Sequence, residues 1–246
     1  MHILKISGDK LDNSDFLSEF AGYVAAQAQP VVIVHGGGRG IADLQAKLGL
    51  TAVKVDGLRV TDAYSLVVAQ MVLSGLVNKR LVAALLAAGV DAVGLSGVDG
   101  GLLRCRKKAH PTADLGYVGE ITAVRADLLT NLLDRGITAV VSPISLGNDN
   151  HPYNVNADEA AAAVALALQA NLLDFVSNVP GVMENGRILP YLTPAQCDAL
   201  RQNGVIQDGM IPKVQAALDA VAQGVAQARI VDLNGLLNNG GTWFTA

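Results

Sequence analysis

One pattern limits the fold more than any other. Short apolar runs ending in Gly, Ser or Asn alternate along the chain with Ala- and Leu-rich stretches whose apolar residues recur at helical spacing. Strands covered on both faces read as unbroken apolar runs, and parallel neighbours need crossover helices, so the pattern predicts βαβ units around a mainly parallel sheet. Strands are predicted over 2–6, 31–34, 92–95, 139–141, 173–176 and 229–231. Helices are predicted over 15–28, 39–48, 62–88, 126–135, 158–170, 194–203 and 211–223. Residues 102–121 hold two more polar strand-like stretches, while Asn148-Asp149-Asn150 and Glu184-Asn185-Gly186 have the residues of hairpin turns. The expected architecture is a three-layer α/β/α sandwich. With no internal repeat and no low-complexity linker, a subtle boundary between residues 170 and 174 divides it into lobes of 1–172 and 173–246.

Composition narrows the partners. With 18 basic and 22 acidic residues the net charge is -4, which leaves no cationic field for nucleic acid or anionic lipid, so small molecules are expected. No 18-residue run is wholly apolar and the first residues read as a strand rather than a signal peptide, so the expected location is cytoplasmic. Cys105 and Cys197 lack metal-type spacing and read as reduced core thiols.

Six segments carry polar chemistry at strand ends or helix starts. Lys5 ends an apolar run and precedes Ser7 and Gly8, small residues that let backbone N–H groups approach an anion. On this segment alone, Lys5 reads more readily as a surface lysine beside an ordinary turn. Gly36-Gly37-Gly38 joins a buried strand to a helix start, where bare N–H groups and the helix dipole favour an anion, though a glycine triplet is as readily a tight turn. The spacing is neither GxGxxG nor a P-loop, and His35 reads as a packing histidine rather than a base. Arg59, before a helix capped by Thr61 or Asp62, can grip a carboxylate bidentately or form a surface ion pair. Asn154, Asn156 and Asp158 fall on one side of an extended segment entering a helix, with Asp158 a possible cap. The strand ending in Ser177-Asn178-Val179-Pro180-Gly181-Val182 opens into a polar turn. Lys213 sits in a helical first turn, against the dipole, which is mildly unfavourable unless it has a role.

In order, VHGGG, GLRVTD, LVNKRLV, GLSGVDG, GYVGE, YNVNADEAA, SNVPGV and GMIPKV resemble the amino acid kinase family over nearly the whole chain. Within it they are most similar to members that act on acetylglutamate. The resemblance implies the amino acid kinase fold and transfer of the ATP γ-phosphoryl group to the side-chain carboxylate of N-acetyl-L-glutamate, the second step of arginine biosynthesis. It implies that Lys5 and Lys213 stabilise the transferring group and that Asp158 holds both lysines. Gly37, Gly38, Arg59, Asn154 and Asn156 would bind the substrate. Ser7, Gly8, Ser177, Asn178, Val179, Pro180, Gly181, Val182, Met183, Val205, Ile206 and Gln207 would line the ATP site. Mg²⁺ is expected on the phosphates, with no metal site of the protein's own. A carboxylate with a pKa of about 4.3 is already ionised at neutral pH, so no general base is required.

Two positions depart from the family pattern: Ser7 replaces a usual glycine and Asn178 a usual aspartate. The SNVPG form is similar to relatives that phosphorylate carrier-linked aminoadipate or glutamate, which gives an alternative acceptor. A non-catalytic nucleotide- or amino-acid-binding regulator is the other alternative, disfavoured by retention of both lysines and Asp158. The resemblance also implies a homodimer. The first strand starts without the N-terminal helix of arginine-inhibited hexameric relatives, so insensitivity to arginine is expected.

Overall fold

A computed structural model of the chain describes residues 1–207 and 209–245; Asp208, which the sequence places before the Lys213 helix, lies outside them. The chain opens with strand β1 (His2–Ile6), helix α1 (Ser14–Ala25), strand β2 (Val32–His35) and helix α2 (Gly38–Lys47). A small hairpin follows, β3 (Lys54–Val55) against β4 (Leu58–Arg59). Asp56 and Gly57 turn it at φ 48° and 79°, a left-handed conformation that glycine tolerates best. One long helix then runs through α3 (Ala63–Gln70), a π-helical stretch Met71–Val77 and α4 (Asn78–Ala87).

Next come β5 (Ala92–Gly97), β6 (Leu103–Lys107), β7 (Val118–Val124), α5 (Ala126–Leu133), β8 (Thr138–Gly147) and β9 (Pro152–Val155). The remainder is α6 (Ala157–Ala167), β10 (Leu172–Val176), the hairpin β11 (Met183–Glu184) with β12 (Arg187–Ile188), and β13 (Tyr191–Leu192). It closes with α7 (Pro194–Gln202), α8 (Met210–Ala222), β14 (Ala228–Val231), α9 (Leu233–Leu237) and β15 (Thr242–Phe244).

The main sheet has the order β13-β15-β14-β10-β1-β2-β8-β6-β7-β9, with β5 beside β8. Its centre, β14-β10-β1-β2-β8, is parallel throughout, and antiparallel pairs appear towards both sides. Strand alternation divides the core in two. Ile3, Val32, Val34, Leu173 and Phe175 face the layer holding α6 and α8, whereas Leu4, Ile6, Val31, Ile33 and Val176 face α1 and the long helix. Lys5, two residues after Ile3, therefore shares the face that α6 covers.

The predicted helices and strands occur, with shifted ends. The helix predicted over 158–170 stops at Ala167, because Gln169 adopts φ 50° and reverses the chain. The strand predicted over 139–141 runs ten residues, passing through Pro143, and its pairing with β5 shifts register between Ser96 and Gly97. A proline can sit there because the ladder is already interrupted. The turn residues at 148–150 join antiparallel β8 and β9, and Glu184-Asn185-Gly186 turns β11 into β12. The boundary expected after residue 172 falls inside β10, whose neighbours β1 and β14 belong to the same sheet. The helix Ala63–Ala87 is long and apolar enough to cross a membrane by composition alone. Its faces differ: Leu66, Val72, Leu73, Leu81 and Leu85 are buried in the protein, whereas Tyr64, Val67, Met71, Leu76 and Leu86 are exposed.

Candidate active site

Three adjacent parallel strands end level with one another, and the site begins there. The ladder extends past them: Ser7 N–H donates to Val176 O (3.0 Å), Gly36 N–H to Ile6 O (3.0 Å) and Ser177 N–H to Val231 O (2.8 Å). The loops after β1, β2 and β10 are thus held side by side at the carboxyl edge of the sheet, where open α/β sheets leave a crevice. A Cβ on Gly8 would lie 2.4 Å from the Gly37 Cα, so the first two loops touch backbone to backbone, and glycine at 8 is a steric requirement.

A cavity of about 320 Å³ opens over this edge. It brings together Lys5, Ser7, Gly8, Gly37, Gly38, Arg59, Asn154, Asn156, Asp158 and Lys213, residues up to 208 positions apart in sequence. Lys5 is 6% exposed, and its Nζ stands 2.6 Å from Asp158 Oδ1. Lys213, in the first turn of α8, donates to Gly209 O at 3.1 Å. Helix α2 starts at Gly38 with no side chain capping its N-terminus, so its first N–H groups stay available to an anion.

Arg59 is oriented from behind. Its Nη1 donates to Gln45 Oε1 (2.7 Å) and its Nη2 to Gly38 O (3.0 Å), while Gln45 Nε2 donates to Ser65 Oγ (2.9 Å). Half-burial lowers the guanidinium pKa, though from so high a value that it remains charged. Asn154 Nδ2 donates to Thr61 Oγ1 (3.2 Å), and that hydroxyl donates to Arg59 O (3.0 Å).

Two cap assignments left open by the sequence are decided here. Asn156, not Asp158, caps α6: its Oδ1 accepts from Asp158 N–H (2.7 Å) and Glu159 N–H (3.4 Å), which leaves the Asp158 carboxylate for Lys5. Asp62, not Thr61, caps α3, and the hydrogen bond from Ser65 N–H lowers its pKa. The expected ATP-site residues Ser177, Asn178, Val179, Pro180, Gly181, Val182, Met183, Val205, Ile206 and Gln207 do not line this cavity. Val182 and Ile206 are each 1% exposed and pack in the core, so they offer a ligand almost no surface.

Sequence reasoning passed over Gln45, Asn78 and Lys54. Gln45 and Asn78 carried a signal, since each stands on the buried stripe of its helix, Gln45 four residues after Ile41 and Asn78 three before Leu81. A polar residue on such a stripe needs a partner. Lys54 lines the cavity directly across the hairpin from Arg59, a placement set by the β3–β4 register.

The sequence matches the model described as "Amino acid kinase family" over residues 1–232. The chain belongs to the amino acid kinase family. Within it, the chain is 54% identical over 243 residues to an acetylglutamate kinase of Roseiflexus sp. (strain RS-1), covering 99% of this chain and 93% of that one. It is 50% identical over 244 residues to an acetylglutamate kinase of Chloroflexus aurantiacus (strain ATCC 29366 / DSM 635 / J-10-fl), covering 99% and 96%. The crystal structure of smu.665 from Streptococcus mutans UA159 superposes with a TM-score of 0.85 at 32% identity, covering 100% of this chain and 98% of that one. The amino acid kinase fold inferred from the motifs is therefore the fold of the chain.

Proposed function

We propose that this protein transfers the γ-phosphoryl group of ATP to the side-chain carboxylate of N-acetyl-L-glutamate, in arginine biosynthesis. The observation that carries the reading is the convergence of two lysines, one carboxylate, an uncapped glycine-rich helix start and an arginine on a single cavity. Relatives at 54% and 50% identity over nearly full length are acetylglutamate kinases, which favours the free amino acid over a carrier-linked acceptor and an enzyme over a silent regulator.

The roles follow from charge and placement. Phosphoryl transfer asks mainly for positioning and neutralisation of spread negative charge. Lys5 and Lys213 supply cationic donors, Asp158 fixes the Lys5 ammonium, and the Gly37 and Gly38 N–H groups supply neutral donors. Arg59, held by Gln45, suits the α-carboxylate, and Asn154 and Asn156 suit the acetylamino end. The turn after β10 and residues 205–207 serve ATP. Asp158 is the only carboxylate lining the cavity among the described residues, and Lys5 engages it. That donor set suits Mg²⁺ held by nucleotide phosphates and water, where it would neutralise phosphate charge.

The working protein is a cytoplasmic homodimer. Tyr64, Val67 and Met71 recur on one side of the long helix and are 74%, 48% and 58% exposed, an apolar stripe suited to a second copy. Incubating the protein with ATP, Mg²⁺ and N-acetylglutamate, and trapping acyl phosphate as hydroxamate, tests the activity. Product only with a carrier-bound acceptor, or none with either, rejects the reading.

A further inference from the structure

Behind the glycine loop lies a buried polar chain that does not line the cavity. His35, the last residue of β2, is wholly enclosed, as is Asn78 at the start of α4. Asn78 Nδ2 lies 3.1 Å from His35 Nε2, 3.0 Å from Val140 O and 3.4 Å from Leu95 O, while its Oδ1 accepts from Lys79 Nζ at 2.9 Å. Lys79 also donates to Gly94 O at 3.0 Å. Gly94 makes room for this arrangement, since a Cβ there would fall 2.0 Å from Asn78 Oδ1 and 2.8 Å from Lys79 Nζ.

The partners orient both groups. An ammonium only donates and carbonyl oxygens only accept, so the Asn78 amide has its oxygen towards Lys79 and its nitrogen towards Val140 O and His35. His35 Nε2 must then be the bare acceptor, and the ring proton sits on Nδ1, 3.1 Å from Gly36 O. Burial supports the neutral form by pushing the imidazole pKa down to about 4. In a trans peptide the C=O and the following N–H point in opposite directions. A Gly36 carbonyl drawn back to His35 therefore turns the Gly37 N–H away from it, on a residue that lines the cavity.

We propose that His35, held by Asn78 as the Nδ1–H tautomer, is a positioning residue for phosphoryl transfer: it fixes the Gly36–Gly37 peptide so that the Gly37 N–H faces the transferring group. The inference rests on the proposed activity, because it assigns that N–H to the phosphoryl group. Packing supports the same peptide from its other side, where a Cβ on Gly37 would meet Leu73 Cδ2 at 2.6 Å, and Leu73 belongs to the π-helical stretch that leads into Asn78.

The test uses two amides that place a donor at different reach. In His35→Asn the side-chain NH₂ occupies the Nδ1 position and can still donate to Gly36 O; in His35→Gln the amide reaches the Nε2 position, where its oxygen accepts from Asn78 Nδ2 and no donor is left beside Gly36 O. Steady-state kinetics should show H35N within a few-fold of wild type. H35Q should lose roughly ten- to a hundred-fold in kcat, up to the scale of one lost oxyanion-type donor, with KM for acetylglutamate changed much less. Nitrogen-15 NMR of the full chain should find the His35 proton on Nδ1. Addition of ATP should shift the Gly37 amide resonance in wild type and H35N but not in H35Q. Equal losses in both variants, a proton on Nε2, or the same Gly37 response in all three proteins would overturn the proposal. The NMR readouts need no turnover, so a wild type inactive on acetylglutamate would remove the functional reading while the tautomer and amide shifts still judged His35.

Discussion

At the residue scale, the two lysines differ in what holds them. Lys5 sits on a strand, nearly enclosed, with its ammonium fixed by Asp158, whereas Lys213 sits on a helix start against the local dipole. In the proposed function both act on charge that develops during transfer rather than on substrate binding. Lys5→Ala and Lys213→Ala should each lower kcat by roughly 10²- to 10³-fold, the scale of one preorganised donor, and raise KM for acetylglutamate far less. Turnover near normal in either variant, measured by hydroxamate formation, would take that lysine out of the mechanism. The sequence made these residues visible because lysine, arginine and glycine are conspicuous at strand ends. It could not show the His35 network, because a buried histidine that packs and a buried histidine that orients a peptide are spelled alike.

At the scale of the element, the start of α6 does two things with three residues. Asn156 ties up two N–H groups of the first turn, and this frees the Asp158 side chain for Lys5. Asn156→Ala should therefore cost about 1 kcal/mol of stability through the lost cap, and Asn156→Asp, which caps equally well, should restore it. Urea unfolding midpoints check this; equal midpoints for wild type and the alanine variant would show that the cap contributes nothing. Helix and strand existence was legible from periodicity, but element ends were not. The helix after Asn156 stops where Gln169 enters a left-handed conformation that its residue type does not announce, and β8 continues through a proline that its neighbours tolerate.

At the scale of the whole molecule, one sheet carries both halves of the chain, and a buried ion cluster crosses the middle. Arg229 on β14 donates twice to Asp174 on β10, at 2.6 Å each, and His2 on β1 contacts the same carboxylate at 2.8 Å. Asp174→Ala should cost about 3 to 5 kcal/mol, because it leaves Arg229 buried without its partner. A loss below about 1 kcal/mol in urea titration would contradict that account. Stability should also depend on pH through His35, whose pKa falls from 6.5 unfolded to about 4 folded. The unfolded chain then binds the proton first, so stability is full above about pH 6.5 and declines as pH falls towards 4, by roughly 3 kcal/mol in all. Thermal unfolding should show this slope in wild type and a shallower one in H35N; identical slopes would locate the pH dependence elsewhere. For the proposed dimer, Met71→Glu should give monomers in light scattering, and an unchanged mass would exclude this face. The sequence by itself determined the βαβ alternation, the family and the polar residues at strand ends, since these depend on local period and residue type. Only the tertiary structure decided which loops meet, that Asn156 caps while Asp158 pairs with Lys5, and which groups surround His35, because each depends on distances between segments far apart in the chain.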